Sequence, residues 1–84
     1  MITELQARFD SRKSFYGKAQ IEYNNGEANL LSYGTLCATV KAGVLSLTDS
    51  WNYSQTTRRH VNEFVKQMGV DAQFAQLKKE LKNG

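Results

Sequence analysis

The feature that most constrains this chain is a change of hydrophobic period partway along it. Between Phe15 and Thr48 short runs alternate apolar and polar residues, separated by turn residues, whereas from Ser54 onward apolar residues recur every three or four positions. A period of two belongs to strands with one dry face, and a period near 3.6 belongs to helices that can cover that face. With 84 residues there is material for one core only, so sheet and helices must share it. The expected fold is therefore a single α+β domain over residues 1–84.

Within the first regime, Ala19, Ile21 and Tyr23 alternate with Lys18, Gln20 and Glu22, with Phe15 in the same parity. Asn25 and Gly26 then form the dipeptide best suited to a tight hairpin, because both residues tolerate positive φ. A second strand runs from Asn29 to Tyr33 and stops near Gly34. Leu36, Ala38 and Val40 mark a third, Ala42 and Gly43 a turn, and Leu45 and Leu47 a fourth. The prediction is a four-stranded antiparallel meander over residues 15–49.

The second regime predicts two helices. Val61, Phe64, Val65 and Met68 form one stripe behind the N-cap candidate Ser54, giving a helix over 54–68 that Gly69 stops. Phe74, Leu77 and Leu81 form another over 71–82, with Asp71 as its cap and Lys78, Lys79 and Lys82 at its negative end. The opening residues, 1–12, read as a short helix capped by Thr3, with Leu5 and Phe9 four apart.

Composition removes several functional classes. One cysteine, Cys37, and one histidine, His60, supply neither an internal disulfide nor a set of soft metal ligands, so no metal and no cofactor is expected. The chain shows no membrane span and no signal peptide, and it is expected in the cytoplasm. A net charge of +3 permits nucleic acid or an acidic protein surface as partner.

The richest local constellation is the helix entry from Trp51 to Phe64. A helix start offers free N–H groups, so Ser54, Thr57, Arg58, Arg59 and His60 are candidates for holding a phosphate, a carboxylate or a partner. The plainer reading is that the hydroxyls cap the helix, Trp51 and Tyr53 fold back onto the core and the arginines are solvated. Arg12, Lys13 and Lys18 flank Phe15 and Tyr16, an interleaving of charge and aromatic surface that suits single-stranded nucleic acid, with Tyr16 and Trp51 as stacking candidates. Here the plainer reading is a buried Phe15 among solvated cations. His60 has no nucleophile motif near it in sequence, and Cys37 reads as a packing residue, so no catalytic residue is assigned.

The runs Ser14 to Ala19, Ser32 to Thr35 and Tyr53 to Phe64 carry the pattern S-F-Y-G-K-A, S-Y-x-T and Y-S-x-T-T-x-R-H-x-x-E-F. In this the chain resembles a family of small uncharacterised proteins encoded on phages, plasmids and conjugative elements of bacteria. The resemblance implies a genetic setting and no activity. Together these readings lead to the expectation of a non-enzymatic binding module, an inhibitor or regulator acting on a host or element protein. The alternative is a nucleic-acid-binding protein that sets its basic residues on phosphates. A membrane partner is not expected, since the apolar stripe of the last helix is narrow and lacks Trp.

Overall fold

The structure, a computed structural model, describes residues 1–10, 15 and 17–83, the last three by backbone alone. Five strands, β1 (Ile2–Glu4), β2 (Ala19–Asn24), β3 (Glu27–Ser32), β4 (Thr35–Lys41) and β5 (Val44–Leu47), precede two helices, α1 (Gln55–Met68) and α2 (Asp71–Asn83). The strands lie in chain order in one antiparallel sheet. The α+β class is as expected, with one strand more.

Three two-residue turns link β2 to β5. Asn25 with Gly26, Tyr33 with Gly34 and Ala42 with Gly43 all have φ between 50° and 78°, the type I′ signature whose twist matches that of paired strands. Residues facing inward from the sheet include Ala19, Ile21, Ala28, Leu30, Ala38 and Leu45, all buried. On β3 it is thus the parity of Leu30, not that of Leu31 and Tyr33, that faces the core.

Strict alternation fails on β4. Leu30 pairs with Ala38 while Leu31 pairs with Leu36, so Cys37 is the extra residue of a bulge. The bulge buries Cys37 and Ala38 side by side and turns Leu36 to the open face, where it is 40% exposed. Leu36 and Ala38 therefore do not share a face, as uninterrupted alternation would require.

The predicted helix over residues 1–12 is corrected. Ile2–Glu4 is an edge strand on β2, Leu5 N–H continues the ladder to Ala19 O at 2.9 Å, and residues 5–10 are not helical. A two-turn helix is marginal in water, whereas the β2 edge offers ready hydrogen-bond partners. Beyond the strand, α1 side chains supply the partners: Glu63 Oε1 accepts from Phe9 N–H at 2.8 Å and Asp10 N–H at 2.9 Å, and Gln67 Nε2 donates to Gln6 O.

Helix α1 begins where expected. Ser54 is extended (φ −149°, ψ 169°) and its Oγ accepts from Thr57 N–H at 3.1 Å. It ends at Gly69 in the left-handed conformation, where Gly69 N–H donates to Lys66 O and Val70 N–H to Val65 O. For α2 the first carbonyl comes from Val70, which accepts from Phe74 N–H at 3.0 Å, so Asp71 lies in the first turn and is not the cap. The side chains of Leu81 and Lys82 lie outside the described set. Helix α1 packs on β3 and β4, and α2 packs on β5 and α1. Val61, Phe64, Val65 and Phe74 close the core.

Candidate functional site

Between Leu47 and α1 the chain turns twice, with Trp51 N–H on Thr48 O and Tyr53 N–H on Ser50 O, both at 3.2 Å. These turns set Trp51 and Tyr53 on either side of the helix entry, each lining a different cavity: Trp51 packs against the core as expected, whereas Tyr53 stays exposed and does not fold onto it.

On one side runs a groove of about 420 Å³ between α1 and α2, lined by Trp51, Gln55, Arg58, Arg59, Asn62, Phe74 and Lys78. The Trp51 ring meets the buried Phe74 edge-on at 5.6 Å, and Lys78 Nζ lies 4.4 Å from the Phe74 ring centre. Arg58 is exposed. Arg59, 37% exposed, pairs with Asp10 at 3.4 Å. No carboxylate belongs to the described lining, so three cations and an indole share one concave surface. This follows from helix geometry: Gln55, Arg58, Arg59 and Asn62 fall at three- and four-residue spacings along one face.

Ser54, Thr57 and His60 point the other way. Ser54 Oγ donates to Thr57 Oγ1 at 3.1 Å, Thr57 Oγ1 lies 3.2 Å from Ser32 Oγ, and Ser32 Oγ lies 2.8 Å from His60 Nδ1. Each hydroxyl can both donate and accept, so the chain of bonds is satisfied with either polarity of the Ser32–Thr57 bond and either tautomer of His60. The His60 ring stacks edge-on against Phe15 at 4.7 Å and lies 5.8 Å from the Tyr33 ring. Thus the capping hydroxyls and the histidine join a buried network and do not line the basic groove. A serine bonded to a histidine is the geometry of a nucleophile and its base, but Ser32, Thr57 and His60 are each at most 2% exposed and bond one another. Mutual satisfaction of Ser32, Thr57 and the His60 Nδ1 accounts for the arrangement.

The second cavity, about 380 Å³, opens above that network and is lined by Ser32, Tyr33, Thr35, Cys37, Ser50, Tyr53 and Thr57. Lys18 stands at its margin, with Nζ 5.4 Å from the Tyr33 ring centre, and not in the α1–α2 groove. Burial pushes the Cys37 thiol above its ordinary value, against a smaller lowering by a backbone hydrogen bond from Ser32. Arg12, Lys13 and Tyr16 lie outside the described residues.

The residues that sequence reasoning missed are Ser32, Glu63, Gln67 and Gln73. Ser32 meets His60 across 28 positions, which no local pattern reveals. Glu63, 2% exposed, is a buried carboxylate satisfied by Phe9, Asp10 and Gln67. Its sequence signals are its place in the Y-S-x-T-T-x-R-H-x-x-E-F pattern and its position three residues after His60, on the side of α1 that also carries Gln67. Among the described residues no group of three or more His, Cys, Asp or Glu side chains is placed to hold a metal ion, and no helix is long and apolar enough to cross a membrane.

Fold and site together define a small α+β protein in which a five-stranded meander is backed by a helix pair carrying a basic, aromatic-floored groove. The chain belongs to the family of unknown function DUF8033, whose model matches residues 3–83. Neither the curated proteins nor the solved structures give a match.

Proposed function

We propose that the protein is a non-enzymatic cytoplasmic binding module that holds single-stranded nucleic acid in the groove between α1 and α2, serving as a regulator in a mobile-element setting. The observation that supports this most is the meeting of Arg58, Arg59 and Lys78 with Trp51 in one groove that no described carboxylate lines. Cations for phosphates beside an aromatic face for bases are what a sequence-tolerant strand binder uses. Charge segregation supports it too. The span from Gln55 to Asn83 carries six Lys and Arg against three Asp and Glu, and the rest of the chain balances, so the +3 net charge resides on the helices.

The second reading, an acidic protein partner, fits the same cations, but a protein anchor calls for a deep apolar pocket, and here Phe74 is already covered by Trp51 and Lys78. The two separate on an anisotropy titration against mixed-sequence single-stranded DNA and RNA at low and near-physiological salt. Three cations predict a logarithmic salt slope of about −2, or roughly a 20-fold loss of affinity for a fourfold rise in salt. Absence of binding at low salt would discard the nucleic-acid reading in favour of a protein partner. Replacing Arg58 and Arg59 together by Ala is expected to abolish strand binding and leave the fold intact, because neither arginine belongs to the core and the one described ion pair lost, to Asp10, is long at 3.4 Å.

A further inference from the structure

The cavity over Ser32 differs in chemistry from the basic groove. Among the described residues no charged side chain lines it; its floor carries the hydroxyls of Ser32 and Thr57 and the thiol of Cys37, and its wall carries Tyr33 and Tyr53. The Ser32 and Thr57 hydroxyls are almost wholly buried and already bond each other and His60, so the accessible surface of the cavity is chiefly aromatic and suits a neutral flat ring. Its volume of about 380 Å³ lies at the small end of the roughly 300–1,000 Å³ typical of ligand pockets.

The two tyrosines are an independent observation. Tyr53 is 84% exposed and Tyr33 is 52% exposed, large aromatic surfaces left in water beside a cavity. Tyr33 also occupies the first position of a type I′ turn with φ 53°, where Asn or Gly is preferred and a bulky residue is strained. Strain of this kind persists where the side chain is needed at that point. The ring is held from behind by His60, and Lys18 stands over it.

The cavity and the basic groove are neighbours. Ser50, Tyr53 and Thr57 line the first, while Trp51, Gln55 and Arg58 line the second, so the segment from Ser50 to Arg58 is the wall between them. We infer that the cavity takes one unstacked base of the strand whose phosphates lie in the groove, the ring stacking on Tyr33 or Tyr53 above the buried Ser32–Thr57–His60 network. The inference rests on the nucleic-acid reading and adds a base-dependent component to it.

The test compares a labelled deoxythymidine strand of about a dozen nucleotides with an abasic strand of equal length, on the wild type, Tyr33→Asn and Tyr53→Ala. Tyr33→Asn places a favoured residue in the turn, and Tyr53 is almost wholly exposed, so both variants are expected to keep the wild-type melting profile. The wild type should prefer the base-bearing strand through Trp51 in the groove and through the cavity, the cavity adding roughly 5- to 150-fold, the range expected for stacking one base. Each variant should lose the cavity's share of that preference and bind the abasic strand as the wild type does. A preference undiminished in both variants overturns the base pocket and leaves the basic groove with Trp51 standing, and equal binding of both strands by the wild type overturns base stacking at either place. Failure to bind either strand overturns both.

Discussion

Asn25, Tyr33 and Ala42 each open a two-residue turn with φ near 50°, yet they suit it unequally. Asparagine enters the left-handed region readily, whereas alanine bears the clash of its Cβ with the backbone. Ala42→Asn is therefore expected to raise stability by about 0.5–1 kcal/mol, read as a higher denaturant midpoint at unchanged slope; a lower midpoint would count against the turn geometry. Cys37 gives a pH signature of known sign. Its thiol titrates higher in the folded protein than in the unfolded chain, so its contribution is complete below the unfolded value, about 8.5, and is lost as pH rises from there through the folded value. Melting curves across that window should decline more in the wild type than in Cys37→Ala, and parallel declines would contradict the burial. Residue-level chemistry of this kind was only partly legible in the sequence. The alternation around Cys37 marked it as a packing residue, but the bulge that buries it beside Ala38 depends on pairing with β3.

At the scale of elements, what could be read was what is encoded locally. Ser54, the Val61–Phe64–Val65 stripe and Gly69 define α1 almost to the residue, since cap, period and stop all lie within it. The Asn25–Gly26 turn was legible for the same reason. The first strand was not, because Ile2–Glu4 is a strand only by virtue of the β2 edge, and the segment after it is held by Glu63 and Gln67 from a helix more than fifty positions away. A parallel case at the other edge makes a prediction. Gln73 of α2 accepts from Leu45 N–H at 2.9 Å and donates to Gly43 O at 2.7 Å, so its amide acts as a neighbouring strand for β5. Gln73→Ala should cost about 1–2 kcal/mol in thermal or denaturant unfolding and, by freeing the edge, increase self-association in sedimentation. A variant as stable and as monodisperse as the wild type would show that the edge needs no cover.

For the whole molecule, the account is one of division of labour around α1. Its apolar stripe closes the core, its hydroxyls and histidine tie it to β3, and Arg58 and Arg59 are left on the α2 side to make a groove with Trp51 and Lys78. The arginines and Trp51 were legible as candidates because they cluster in sequence. Lys78 was read only as a helix-end charge, since its approach to them depends on how α2 folds back. Trp51 is the only tryptophan, so its emission reports on the groove without a label. The most direct test is a titration of that emission with mixed-sequence single-stranded nucleic acid at two salt concentrations, in the wild type and in Arg58→Ala/Arg59→Ala. The account predicts a saturable change with a logarithmic salt slope of about −2 in the wild type and its loss in the double variant. Unchanged emission at low salt, or a change that the double variant retains, would contradict it.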